Sequence, residues 1–211
     1  MTVTEFALIK LQADYDELEL YELAMQLLEV QDAWVRSHLP HLLSDDTKRN
    51  LSNLYVTKSD PPHLLITAQW DSPKAHQKWI ESEENKTGLA RLQRFFAPGD
   101  DPLVLFHMTP AGRGKRHPPS FVGHPCFNVT RLFVPVEEKE AAQAKYRKLE
   151  DTLRDLKVEE KIWAGWRIEK SRDDEEELVI FTSHTTCPLQ EAVAKMGQSL
   201  RKESYSFHHI G

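Results

Sequence analysis

Only two cysteines, Cys126 and Cys187, occur in this 211-residue chain. No metal or redox spacing links them, so neither a disulfide framework nor a cysteine zinc site is indicated. No run of about 18 apolar residues is present, which excludes a membrane-spanning helix, and no secretory leader is recognisable. Basic clusters are nearly missing. The net charge is -6, and the one concentration, Arg113-Gly-Lys115-Arg116, is small and lies among Gly and Pro. Phosphate backbones are held by clustered Lys and Arg, so nucleic acid is not an expected partner. Three catalytic signatures are also absent: His-Glu-x-x-His for zinc, Gly-x-Gly-x-x-Gly after a strand, and Gly-x-Ser-x-Gly for a serine hydrolase. The ten histidines lack compact zinc spacing. No metal and no cofactor are therefore expected. The expected setting is the reducing cytoplasm, with both thiols free.

What is present is a globular pattern, long enough to bury a core. Phe6 to Leu11 reads as a short apolar strand. Leu20, Leu23, Leu27, Val30, Trp34 and His38 recur at steps of three and four, which predicts a helix with one core-facing stripe. Asn53 to Ser59 alternates as a half-buried strand, and Asp60-Pro-Pro62 is a turn. An apolar run from Leu64 then ends in Trp70, and Asp71-Ser72-Pro73 opens a helix carrying His76, Trp79 and Ile80. Gly88 interrupts the helical pattern, which Leu89, Leu92 and Phe96 resume. Leu103 to Met108 is a strand.

The same order recurs downstream. Strands are expected over Phe127 to Val134, Lys161 to Lys170, Leu178 to His184 and Tyr205 to Ile210. Helices are expected over Glu137 to Leu156 and Pro188 to Glu203. Strand, helix, strand, strand, helix, strand is thus written twice, the ferredoxin-like order. The expected fold is α+β: two tandem ferredoxin-like modules, residues 1–109 and 126–211, joined by a Gly/Pro/basic linker over 110–125. A four-stranded sheet with helices on one side leaves its other face bare. Packing sheet to sheet within one chain, as an intramolecular dimeric α/β barrel, would cover both. The chain would be a pseudo-dimeric monomer or pair further as a homodimer.

Trp70 to Asn85, WDSPKAHQKWIESEEN, resembles the signature segment of the dimeric α/β-barrel superfamily, most closely its antibiotic-biosynthesis-monooxygenase type. Trp70, Ser72, Ala75 and Ser82 carry the likeness. That family often has a histidine in mid-helix; Trp79 stands there by spacing, with His76 nearby. The resemblance implies a small-molecule enzyme, with members that are cofactor-independent oxygenases of aromatic polyketides, haem-degrading oxygenases, cyclases or isomerases. It implies a pocket between sheet and helices in each module.

Trp34 and His38, Trp70, and His76 could converge on such a pocket. Aromatic walls suit a flat apolar substrate, and a histidine near neutrality can remove a phenolic or α-carbonyl proton. The expected catalytic residues are His38 and His76, with Trp34, Trp70, Trp79 and His107 contacting an aromatic or polyketide-like substrate. Two readings compete with oxygenation: a non-oxidative cyclase, isomerase or decarboxylase, and a non-catalytic ligand-binding or stress-response protein. His107, His208 and His209 could instead serve a pocket or haem, and His184 lies in a strand, where a buried imidazole needs a partner. The leucines of the second long helix, where the first has Trp34 and His38, favour a site in the first module. Trp163 and Trp166 should face opposite sides of their strand.

Overall fold

A computed structural model describes residues 2–43, 50–99, 101–113, 126–155, 162–183 and 187–209. Among the described residues, eight strands and five α-helices make up an α+β chain. The chain divides into two compact units, Met1–Leu105 and Phe106–His209, with the division inside one strand.

Unit 1 begins with β1 (Val3–Lys10), followed by α1 (Glu17–His38), β2 (Ser52–Thr57), β3 (His63–Trp70), α2 (Pro73–Ile80) and α3 (Glu83–Leu92). It ends in the first residues of β4 (Leu103–Pro110). Asp16 caps α1 by accepting from the Glu19 amide at 2.9 Å, and Glu17 and Glu19 complement the helix dipole. Leu39 ends the helix because Pro40 follows it. Ser72 caps α2 through the Ala75 amide, with Pro73 in the first turn. β3 is the middle strand, antiparallel to β1 on one side and to β2 on the other. Ile9, Leu64, Leu54 and Val56 pack against Leu20, Leu23 and Leu92 in the core beneath the helices.

Two expectations change here. The buried stripe of α1 runs through Leu20, Leu23, Ala24, Leu28, Gln31, Trp34 and Val35, while Val30 is 39% exposed and His38 is exposed. His38 occupies the last turn, next to the helix end. The second helical region is broken not at Gly88 but at Glu81–Ser82, where Ser82 accepts from the Asn85 amide and starts α3. Gly88 lies buried inside α3, and a Cβ placed there would meet Leu27 Cδ2 at 2.6 Å. Glycine is there for the close approach of α1, not to stop a helix.

Unit 2 carries the rest of β4, then β5 (Phe127–Pro135), α4 (Lys139–Asp155), β6 (Ile162–Arg167), β7 (Glu175–Ser183), α5 (Cys187–Met196) and β8 (Arg201–His209). Its strands run β8-β5-β7-β6, all antiparallel, and Met108 to Pro110 of β4 pair along β6. The last helix is shorter and the last strand longer than expected. α5 stops at Met196, and Arg201 already pairs with Phe133 of β5. Gly197 follows it, where a Cβ would sit 2.6 Å from Leu132 Cδ2. Trp166 joins the core with Tyr146, Leu132 and Ile180, whereas Trp163 stands edge-on to Phe181. Of the expected linker, Pro110 closes β4 and Ala111 donates to the Ala164 carbonyl; residues 114–125 lie outside the described residues, as do Leu156 and His184. No helix among the described residues is long and apolar enough to cross a membrane.

Candidate functional site

The register of unit 1 decides what its floor looks like. Ser52 pairs with Ala68, Leu54 with Ile66 and Val56 with Leu64; across β3, Val3 pairs with Trp70, Ala7 with Ile66 and Ile9 with Leu64. Continuing the register places Glu5 opposite Ala68. Glu5, Ala68 and Ser52 therefore form one row across three strands, with the apolar rows Ala7-Ile66-Leu54 and Ile9-Leu64-Val56 beyond it. Side chains two apart share a face, so these rows look the same way.

Over that face lies a cavity of about 190 Å³, bordered on the helix side by Ala24, Leu27, Gln31, His76, Trp79 and Leu89. A small residue in the floor, Ala7, leaves space there. The body of the cavity is aliphatic. Its polar groups include Glu5, Gln31, Ser52 and His76, with Glu84 and Asn85 on α3. Among the lining residues there is no Lys or Arg.

Glu5 is the centre of a buried triad. Trp70 Nε1 donates to Glu5 Oε2 at 2.8 Å, and His76 Nε2 stands 3.4 Å from the same oxygen. The rings of Trp70 and His76 stack at 4.5 Å, inclined by 14°. Trp70 is 0% exposed, His76 3% and Glu5 5%. At 3.4 Å the imidazole–carboxylate contact is looser than an ordinary hydrogen bond. A proton held between two such groups can pass to either, provided a reacting atom enters beside them. Gln31 completes the polar end, accepting from Ser52 Oγ at 2.5 Å. Its neighbour Asp32 accepts from the Leu51 amide at 3.0 Å. Burial pushes the Asp32 carboxyl above its usual range, against the opposing effects of that amide and of Arg36.

The residues expected from sequence separate into groups. His76 and Trp79 line the cavity. Trp70 sits behind Glu5 and belongs to a core cluster with Trp34, Trp79, Val35 and Ala68. Trp34 packs 5.5 Å from Trp79, and on its other side stacks on His38 at 4.2 Å. His38 bonds through Nδ1 to the Trp34 carbonyl at 2.8 Å and is not among the lining residues. His107 lies in unit 2. Its amide donates to one carboxylate oxygen of Glu169 at 2.8 Å, and its Nδ1 meets the other at 2.7 Å. Burial alone would raise the Glu169 carboxyl, but these two bonds hold it below its usual range. His208 and His209 are half-buried in β8. Glu5, the residue that Trp70 and His76 share, had no role in the sequence reading. Its signal was an acid in strand phase with Ala7 and Ile9.

No protein-family model matches the chain, and no curated protein matches it in sequence. The solved structures do. A provisionally named monooxygenase of Lactobacillus acidophilus NCFM superposes with a TM-score of 0.60 at 8% identity, covering 100% of this chain and 94% of its own. An anthrone oxidase-like protein gives 0.61 at 12% identity, covering 100% and 92%. A chlorite dismutase variant of Candidatus Nitrospira defluvii, in complex with cyanide, gives 0.54 at 13%, covering 99% and 91%. This chain shares their fold. At these identities the likeness reaches no further than the fold.

Haem, one option raised by the family resemblance, does not fit the unit 1 cavity. A four-pyrrole macrocycle outgrows about 190 Å³, and the one histidine lining it is stacked on Trp70 and turned to Glu5. Among the described residues, no group of three or more His, Cys, Asp or Glu is placed to hold a metal ion.

Proposed function

We propose that each unit is a ferredoxin-like module and that unit 1 is the working half of a small-molecule enzyme akin to cofactor-independent monooxygenases. The observation that carries this is the Glu5–His76 pair, buried at the polar end of an otherwise aliphatic cavity. A substrate lying in the cavity presents its acidic O–H or C–H to that pair. Proton removal leaves an electron-rich phenolate or enolate, and the apolar walls keep water from quenching it. Oxygen accepts its electrons. One oxygen atom becomes a ring carbonyl, the other leaves as water, and the substrate itself supplies all the electrons. Trp79 forms one wall, while Trp70 holds Glu5 rather than touching substrate. The superposed monooxygenase and anthrone-oxidase-like structures support this reading at the level of fold.

Oxygen uptake with anthrone and simpler phenols is the test, with Glu5→Gln and His76→Gln beside the parent protein. Uptake that falls about 100-fold or more in both variants is expected, the usual scale for losing a general base. Uptake unchanged in both would overturn the assignment. Proton transfer without oxygen, as in an isomerase or cyclase, draws on the same pair because that pair needs no oxidant. Product formed under strict anaerobiosis would select it.

A further inference from the structure

The polar end of the cavity holds a hydrogen-bond donor outside the Glu5 triad. Gln31 is 7% exposed and lines the cavity from α1. Its carboxamide oxygen accepts from Ser52 Oγ at 2.5 Å, and among the described residues its Nε2 has no hydrogen-bond partner. Resting on the reading of unit 1 as a substrate site, we infer that Gln31 is a ligand-binding residue: its N–H, held in place by Ser52, donates to a keto oxygen of the substrate. Three observations carry this.

The first is orientation. A buried hydroxyl hydrogen needs an acceptor, and for Ser52 that acceptor is Gln31 Oε1. The bond fixes which end of the carboxamide faces Ser52 and turns the NH₂ end away from it. The second is the unmet donor. A carboxamide nitrogen carries two N–H donors, and buried polar groups are paired with few exceptions, so an open donor on a cavity wall is matched by an acceptor that enters the cavity. The third is placement. Ser52 pairs with Ala68, and Glu5 continues that row on the far side of β3. Neighbouring strands lie about 4.8 Å apart, which sets the Glu5 and Ser52 backbones about 10 Å apart along the row. Gln31 therefore stands across the polar end from the Glu5–His76 pair. A substrate between them gives its proton to the pair while its carbonyl meets Gln31. The C–H bond breaks, and its electron pair moves through the conjugated frame onto the carbonyl oxygen. As that oxygen gains charge, the N–H···O bond becomes charge-assisted and strengthens toward the transition state.

Titration calorimetry of the full-length protein with 1-tetralone and tetralin tests this, since the two share one frame and differ in the keto oxygen. The ratio of tetralone to tetralin affinity should fall about 3- to 10-fold from the parent to Gln31→Leu, the scale of one neutral hydrogen bond. Gln31→Glu keeps an oxygen for Ser52 but presents no amide donor, and the ratio should fall at least as far. Infrared spectra supply a readout that a merely structural role would not move: the carbonyl stretch of bound 1-tetralone should lie lower in the parent than in Gln31→Leu. Ser52→Ala frees the carboxamide to turn and should lower the ratio too, and it carries the test if the Gln31 variants do not fold. An unchanged ratio in these variants, or a carbonyl stretch that does not move, overturns the inference, as does a failure of 1-tetralone to bind. Oxygen uptake with anthrone that depends on Glu5 and His76, beside an unchanged ratio, would leave the proposed activity standing and remove this inference. A ratio that falls, with no uptake by the parent, would do the reverse.

Discussion

Replacing Glu5 by Leu and by Gln should have sharply different effects on stability. Glu5 accepts the Trp70 indole N–H at 2.8 Å and faces His76 Nε2 at 3.4 Å, with all three side chains buried. Leu is close to Glu in volume and fills the same space, so little cavity is created. It offers no acceptor. A buried polar group deprived of its partner costs about 1–3 kcal/mol, so losing the acceptor of the Trp70 indole should cost about that much, with the His76 contact adding to it. Gln keeps an oxygen where Trp70 needs one. It exchanges a charge-assisted hydrogen bond for a neutral one, a loss of about 1 kcal/mol, and removes a buried charge, which offsets part of that loss. Urea unfolding should therefore place Glu5→Gln within about 1 kcal/mol of the parent and Glu5→Leu well below it, with similar m-values. A cycle with Trp70→Phe should show coupling of about 1–3 kcal/mol. Were Glu5→Leu as stable as the parent, the carboxylate would not be what holds Trp70 and His76, and the triad would lose its physical basis.

Three further outcomes are expected. Gly165→Ala should destabilise by about 1–3 kcal/mol, because the new Cβ would lie 2.8 Å from Met108 Cβ, a rigid atom, and 2.5 Å from Trp163 Cη2; a melt unchanged within error refutes it. Ser82→Ala should cost about 1 kcal/mol and fray the start of α3, seen as faster amide exchange at Asn85, whose N–H the Ser82 hydroxyl accepts at 3.1 Å. Asp32 is held above its unfolded value, so the native state binds its proton more tightly and stability falls as pH rises from about 4 through the raised value. Asp32→Asn keeps an acceptor for the Leu51 amide and should melt higher than the parent at pH 7, with the gap closing near pH 4; equal gaps at both values would contradict the sign.

Much of the frame was legible locally. Asp16 and Ser72 before their helices, Pro40 after one, and the alternation of β2 and β3 are signals carried by neighbouring residues, because caps and strand faces need only a few positions. Gly88 and Gly197 show where local reading fails. One looks like a helix-pattern blemish and the other passes unnoticed, yet each is closely approached by a leucine remote in sequence, Leu27 or Leu132. His38 fails for a related reason: it keeps step with the stripe of α1 but falls in the last turn, where its side chain stays exposed.

The amino-acid order alone determined the element order, the doubling of that order, and the presence of His76 and Trp79 on one short helix. Only tertiary structure decided that Glu5, 65 residues before Trp70 in the chain, would share an oxygen between that indole and His76. The reason is register. A strand's own alternation says which side chains share a face, but only pairing of β1 with β3 says which row Glu5 joins and sets it on the same face as Trp70.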